Sequence, residues 1–148
     1  MKGKTDFLAI NYTQKIMITI GVIDKYPLFR EWMSYTLSSQ FYQSTIFEAK
    51  TVHSFLKTYP DCFPELIILG IGPNSSVAQN KNFIKLIKSR KPSCVLVIYD
   101  ENSSSPKILH YLTAGANGYL SKQNSVDELK VCIQTVLLGK PYMSEDEV

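Results

Sequence analysis

The stretch IMITIGVI, residues 16–23, is nearly continuous in apolar and β-branched side chains. A run of this kind is typical of a strand in a parallel sheet that is covered on both faces, because such a strand has no face turned to water. The runs LIIL at 66–69 and CVLVI at 94–98 have the same character. Shorter strands are predicted at 45–49 and 118–120. The sequence therefore predicts five strands, three of them fully buried.

Amphipathic segments separate these strands. Helices are predicted at residues 28–39, 51–59, 80–91, 103–114 and 125–139. In the first of them, two sets of apolar residues recur at helical spacing: Leu28, Trp32 and Tyr35, and Phe29, Met33 and Leu37. Ser125 and Glu128 form a capping-box pair at the start of the last one. Strands that alternate with helices imply parallel pairing through right-handed crossovers, so the fold class is predicted to be α/β, with a doubly wound, five-stranded parallel sheet.

Composition narrows the classes of protein to which the chain can belong. With 148 residues, 45% hydrophobic and 20% charged, it suits one ordinary domain with a full core. The net charge of +3 is mild, and Lys81, Lys85 and Lys88 are interpreted as a solvated helix face. No stretch approaches the ~20 apolar residues of a membrane span, and residues 1–15 lack the apolar segment of a signal peptide. We therefore expect a cytoplasmic protein without membrane contact.

Cysteine and histidine provide no pattern typical of a metal site. Cys62, Cys94 and Cys132 are far apart, which argues against both a disulfide framework and a zinc site. Cys94 and Cys132 lie in apolar runs and are predicted to be core residues. His53 and His110 lie alone within predicted helices and are interpreted as structural. No metal and no cofactor are expected.

The ends of the predicted strands are where a functional site is expected. In an open, doubly wound sheet, ligands and chemistry lie at the carboxyl ends of the strands. The segments to inspect are therefore residues 24–26, 70–74, 99–102 and 121–124.

Sequence motifs at these strand ends match a known pattern. VIDKYPLFR at 22–30 is similar to Val-Asp-Asp-His-Pro-Leu-Phe-Arg, and PELIILGI at 64–71 to Pro-Asp-Leu-Ile-Leu-Leu-Asp-Ile. Residues 95–100 are similar to a strand that ends in Ser or Thr followed by Ala. AGANGYLSK at 114–122 closely matches Ala-Gly-Ala-x-Gly-Tyr-Leu-x-Lys, and GKPYMS at 139–144 fits the exit from the last helix. In order and spacing, these segments resemble the receiver domains of bacterial two-component response regulators, in particular the NarL/FixJ (LuxR-type) group.

The resemblance implies a flavodoxin-like, CheY-like (βα)5 receiver fold and a domain layout. Residues 1–15 are predicted to be an N-terminal extension, 16–140 the receiver domain and 141–148 the start of a linker to a possible C-terminal DNA-binding domain absent from this chain. It also implies phosphorelay signalling and transcription regulation. DNA would be bound only through that further domain.

Three positions that take part in the family's reaction depart from its pattern, and Pro73 and Asn74 replace its Met-Pro pair in shifted positions. The family transfers a phosphoryl group from a histidine kinase to one aspartate, with Mg²⁺ held by acidic side chains. The position of the acceptor aspartate is Gly70, which has no side chain. The second residue of the acidic pair is Lys25, which removes a metal ligand and adds a positive charge. Tyr99 takes the place of the small hydroxyl residue. The resemblance therefore implies an atypical receiver that is not phosphorylated.

Other positions of the family's site are retained. Asp24 remains from the acidic pair, and Lys122 is expected to form a partly buried ion pair with it. Together with Lys25 and Tyr99, these residues are predicted to be a vestigial pocket. Tyr119 matches the family's switch aromatic, and we expect Tyr99 to hold it in one rotamer.

The predicted function is that of an interaction module and not an enzyme. A homodimer is expected, and a regulatory protein or a small ligand are other possible means of control. By analogy, the dimer surface is assigned to the first and last helices, at Arg30, Trp32, Met33, Leu129 and Ile133.

Two alternatives remain open. A small flavodoxin-like enzyme would need a convergent polar pocket at the strand ends, where the sequence offers one aspartate, one lysine and glycines. Phosphorylation at an unusual residue would need another acidic side chain with further metal ligands beside it. Asp100 follows the fourth strand, but no second carboxylate is placed beside it.

Overall fold

The computed structural model describes residues 17–143 except residues 42 and 62. Within these residues the strands are β1 (Ile18–Ile23), β2 (Ser44–Ala49), β3 (Leu66–Ile71), β4 (Val95–Asp100), β5 (Gly118–Ser121) and β6 (Tyr142–Met143). The helices are α1 (Pro27–Gln40), α2 (Val52–Thr58), α3 (Val77–Arg90), α4 (Ser105–Ala114) and α5 (Val126–Leu137). The predicted N-terminal extension, Cys62 and most of the predicted linker lie outside the described residues.

All strand pairs in the sheet are parallel, and the strand order is β2-β1-β3-β4-β5-β6. Helices α1 and α5 cover one face, where Met33 and Ile133 pack against side chains such as Ile68. Helices α2, α3 and α4 cover the other face, where Phe55 and Ile84 are fully buried. Because both faces are covered, the central strands are mostly apolar, as the sequence indicated, although β4 ends in the buried Asp100.

The predicted α/β fold with a doubly wound parallel sheet is confirmed. The sequence missed β6, which pairs with β5 through Gly118 and Tyr142. A strand of two residues is too short to show a period of its own, so periodicity could not find it.

Capping residues and one glycine mark several of the helix ends. The Ser125 hydroxyl accepts a hydrogen bond from the Glu128 amide at 3.1 Å, as expected of an N-cap. Thr51 and Ser54 form a reciprocal capping box that the sequence reading missed. Gly115 ends α4 with a φ of 127°, which a residue with a side chain rarely adopts.

The two described cysteines are core residues, as predicted. Cys94 and Cys132 are both buried. Burial raises the pKa of the Cys94 thiol to about 11 and that of the Cys132 thiol to about 12. Both thiols are therefore protonated near neutral pH and serve as small apolar side chains.

In the described part of the chain, no helix has both the length and the apolar character needed to cross a membrane.

Candidate functional site

Parallel pairing brings the strand ends together at one edge of the sheet. Asp24 follows β1, Gly70 is the fifth residue of β3 and Lys122 follows β5. Gly70 is in register with Tyr99 of β4. Four segments that are far apart in sequence therefore meet here.

Asp24 and Lys122 form a partly buried ion pair. The Lys122 ammonium lies 2.9 Å from Asp24 Oδ2, and only 2% of Asp24 is exposed. Asp24 Oδ1 accepts a hydrogen bond from the Tyr26 amide at 2.9 Å. The Lys122 ammonium also lies over the Phe29 ring, 4.3 Å from its centroid. The carboxylate is therefore neutralised and held in one orientation.

Gly70 leaves a space that Asp24 occupies. A Cβ atom built at Gly70 would lie 1.8 Å from Asp24 Oδ2 and 2.7 Å from Asp24 Cγ. No side chain at position 70 is compatible with this arrangement, because even its first carbon atom would overlap the carboxylate. The absence of a side chain at 70 and the position of Asp24 are thus parts of one arrangement.

Lys25 does not join the pair. It is exposed, and its ammonium lies 5.7 Å from the centroid of the Tyr26 ring. Among residues 17–143 as described, it forms no ion pair. Lys25 instead lines a cavity that neither Asp24 nor Lys122 lines. Lys25 therefore lies apart from Asp24 and Lys122, with which it was predicted to form one vestigial pocket.

Tyr99 is a core residue. It is 1% exposed and packs on the α1 and α5 side of the sheet, with its ring 5.6 Å from that of Phe29. Burial, with a smaller effect of Cys132, raises the pKa of the Tyr99 phenol to about 12. Tyr119 lies in the core on the other face of the sheet. The prediction that Tyr99 holds Tyr119 in one rotamer is therefore wrong.

Tyr119 is held by Asp100 instead. Its hydroxyl donates a short hydrogen bond to Asp100 Oδ2, and the Lys107 ammonium lies 3.1 Å from the same oxygen. Asp100 is fully buried, and its Oδ1 accepts a hydrogen bond from the Asn102 amide at 3.2 Å. Asp100 was located from the sequence as an acid without a second carboxylate beside it, and its role in holding Tyr119 was not predicted. Lys107, in the first turn of the next helix, was the overlooked signal.

A series of side-chain contacts leads from Tyr119 towards α3, first through a stacked ring and then through hydrogen bonds. The rings of Tyr111 and Tyr119 stack with centroids 6.2 Å apart. Asn80 Nδ2 donates to the Tyr111 hydroxyl at 3.1 Å and to Ser75 Oγ at 3.0 Å. Burial raises the pKa of the Tyr111 phenol, the hydrogen bond from Asn80 lowers it and the nearby Asp100 carboxylate raises it. This series of contacts joins the β3–α3 loop to α4 and β5.

The residues that were assigned to a dimer surface differ in their exposure to solvent. Met33, Leu129 and Ile133 are at most 1% exposed, because they pack against the sheet. The prediction that these three residues belong to a surface was therefore wrong. Arg30 donates to the Asp24 carbonyl at 2.7 Å and lies 3.6 Å from Glu48. Of the five, Trp32 keeps a large exposed apolar fraction, 41%.

Other sequence-predicted positions are also located. His53 and His110 both lie at the protein surface, and His53 contacts the Phe83 ring edge-on at a centroid distance of 5.6 Å. Lys88 is not part of a solvated face, because its ammonium donates to the Cys94 carbonyl at 2.6 Å and to Asn117 Oδ1 at 3.1 Å. Across the described residues, no three His, Cys, Asp or Glu side chains are grouped so that they could hold a metal ion.

Comparison with characterised proteins identifies a relative of modest similarity. No profile of a known protein family matches the chain. The transcriptional regulatory protein MctR of Rhizobium johnstonii is 24% identical over 132 residues, which cover 89% of this chain. The chain spans 61% of the length of that relative.

Several solved structures have a fold similar to that of this chain. A two-component response regulator of the LuxR family from Aurantimonas sp. SI85-9A1 has a TM-score of 0.76 at 21% identity, covering 87% of this chain and 91% of its own. A LuxR-family DNA-binding response regulator from Silicibacter pomeroyi has a TM-score of 0.74 at 20% identity, covering 87% and 98%. The isolated REC domain of RcsB from Salmonella enterica serovar Typhimurium, with the phosphomimetic BeF3−, has a TM-score of 0.75 at 18% identity, covering 86% and 94%. The chain therefore has the fold of the receiver domains of LuxR-family response regulators.

Proposed function

We propose that this chain is an atypical receiver domain of a LuxR-type transcriptional response regulator and that it works without phosphorylation. The observation that supports this best is the position of Asp24. Its carboxylate lies where any side chain at position 70 would begin. Gly70, on this proposal, stands at the position of the phospho-acceptor aspartate.

The chemistry of phosphoryl transfer explains why this arrangement is inactive. The reaction needs a carboxylate nucleophile and a Mg²⁺ ion held by several hard oxygen ligands. Gly70 supplies no nucleophile, and the Asp24 carboxylate is already neutralised by Lys122 at 2.9 Å. Asp100 is fully buried and paired with Lys107, so it is poorly placed to replace the acceptor.

The first test is a magnesium titration with and without beryllofluoride. We expect no change in the fluorescence of Trp32, the sole tryptophan, or in the amide NMR shifts around Gly70. Trp32 is a suitable reporter because its ring lies 5.6 Å from that of Phe29, which contacts Lys122. A related receiver domain that retains the acceptor aspartate, treated in parallel, provides the positive control.

The variant Gly70→Asp sharpens this test. Acetyl phosphate is expected to leave it unlabelled, because its new side chain must displace Asp24 and break the pair with Lys122. Saturable binding of magnesium by the wild type, or stoichiometric labelling of Gly70→Asp, would contradict the proposal.

We infer further that the chain forms a homodimer through the outer faces of α1 and α5. Leu28, Trp32 and Tyr35 follow one another on α1 and are 79%, 41% and 75% exposed. Val131, on α5 at the same face of the sheet, is 48% exposed. Apolar side chains grouped in this way are typical of surfaces that bind another protein. A symmetric dimer would bring the same patch of both copies together.

Replacing Leu28 with glutamate is expected to weaken this dimer at least tenfold, or ~1.4 kcal/mol, because the charge would be buried in an apolar contact. Sedimentation velocity over a range of concentrations measures the change. Leu109→Glu is the matched control, since Leu109 is 69% exposed on α4 at the other face. A wild-type chain that stays monomeric at the highest concentration, or equal weakening by both variants, would refute this surface.

Binding to DNA, on this proposal, belongs to a further domain. One related structure is described as two RcsB dimers bound to two parallel DNAs, and this chain covers 64% of that RcsB chain. The receiver would then control a DNA-binding domain through its dimer contacts.

A further inference from the structure

A cavity of about 420 Å3 opens beside Gly70. The ends of β1 and β3, the loops that follow β1, β2 and β3, and the first turns of α2 and α3 line it. Its lining includes Lys25 and Tyr26 after β1, residues 50–53 after β2 and residues 70–75 around the end of β3. Neither Asp24 nor Lys122 contributes to the lining. The cavity is therefore separate from the ion pair that occupies the proposed acceptor position.

The floor and one wall of the cavity are apolar. Ile23, Val52, Leu69 and Ile71 are buried residues that line it, and the half-buried ring of Phe83 stands beside them. An apolar surface of this kind favours a ligand with a flat or aliphatic body, because water is released from both when they meet.

The rim of the cavity is positively charged. Lys25 and Lys50 line it, and no aspartate or glutamate does. Neither lysine forms an ion pair within the part of the chain that the structure describes. Two ammonium groups beside a low-dielectric wall create a positive potential that attracts anions.

One hydrogen-bonding side chain of the cavity, that of Asn80, is held in place before any ligand binds. Asn80, which is 6% exposed, is held by Tyr111 and Ser75 through its amide nitrogen. Thr51 and Gln79 also line the cavity. An apolar surface with polar groups that converge on it is typical of a small-molecule site, and such sites measure ~300–1,000 Å3.

We propose that this cavity binds a small organic anion, a phosphate ester or carboxylate with a flat apolar body. The anionic group contacts Lys25 and Lys50, and the body packs against Phe83 and the strand ends. This goes beyond the proposed function, since it supplies an input signal that does not require phosphorylation. The chain of hydrogen bonds from Ser75 through Asn80 to Tyr111 gives the occupied site a physical connection to α4.

The proposal is tested by NMR titration with phenyl phosphate and, separately, with benzoate. We expect at least one of them to bind saturably, with amide shifts at His53, at residues 70–72 and at residues 74–75. The two probes distinguish the phosphate source of negative charge from the carboxylate source. Phenol, which keeps the ring without the charge, and inorganic phosphate, which keeps the charge without the ring, are expected to bind at least tenfold more weakly.

Charge-removing variants locate the site. The double variant Lys25→Gln/Lys50→Gln is expected to weaken binding of the preferred probe at least tenfold. Because both lysines are exposed, its melting temperature should equal that of the wild type. Lys57→Gln is the matched control, an exposed lysine of α2 that does not line the cavity. Absence of saturable binding by both aromatic anions, equal binding of inorganic phosphate, or equal loss in the control variant would each overturn the proposal.

Discussion

Replacing Asp24 with alanine is expected to lower the free energy of unfolding by about 3 kcal/mol or more, because it leaves a largely buried lysine without its counter-charge. The Lys122 side chain is only 11% exposed, and the Asp24 carboxylate is its ion-pair partner. The substitution also leaves the Tyr26 amide without its acceptor. Chemical denaturation monitored by circular dichroism measures the loss.

A double-mutant cycle identifies the cause of this loss. In Asp24→Ala/Lys122→Met, the unpaired charge is removed as well, so the double variant should be more stable than Asp24→Ala alone. Asp24→Asn keeps the shape and the hydrogen bond from Tyr26 and should fall between the wild type and the alanine variant. If Asp24→Ala unfolds at the same denaturant concentration as the wild type, the pair is not a stabilising element. The proposal for the inactive site would then lose its main physical support.

Asp100→Ala is expected to have the second largest effect, a loss of about 3 kcal/mol or more, because buried donors lose their acceptor. Asp100 is fully buried and accepts from the Tyr119 hydroxyl, the Lys107 ammonium and the Asn102 amide. Tyr119→Phe removes one of these hydrogen bonds and keeps the ring. It should cost about 1–2 kcal/mol.

The neighbouring residue provides the control. Glu101 is half-buried, and Glu101→Ala should change stability by less than about 0.5 kcal/mol, as is usual for surface substitutions. Thermal and urea unfolding of all three variants give the comparison. Equal stability of Asp100→Ala and Glu101→Ala would mean that the polar cluster does not hold Tyr119.

The sequence by itself determined the sheet and the positions of most helices. Uninterrupted apolar runs such as 66–69 and 94–98 are typical of strands covered on both faces, and their alternation with amphipathic segments indicated the parallel α/β class. Because parallel strands end at one edge, the same argument brought Asp24 and Lys122 close together, although 98 positions separate them. Their ion pair was foreseen from the resemblance and is present in the structure.

Only the tertiary structure decided which apolar stripe of α1 faces the sheet. Leu28, Trp32 and Tyr35 have the same helical spacing as Phe29, Met33 and Leu37, and periodicity alone does not choose between them. Packing against the sheet buried Met33 and Leu37 and left Leu28 and Tyr35 exposed. The dimer residues predicted from analogy were wrong at Met33 for this reason.

The site itself depended most on the tertiary structure. The sequence shows that Gly70 lacks a side chain. It does not show that the Asp24 carboxylate occupies the space beside Gly70, because this depends on how closely β1 and β3 pack. Tyr99 belongs to the core and Asp100 to a buried polar cluster because side chains alternate across a strand, and the helices on each face decide what each one meets. Secondary structure follows local patterns of apolar residues, whereas a pocket is formed by loops that come together only once the whole sheet has been assembled.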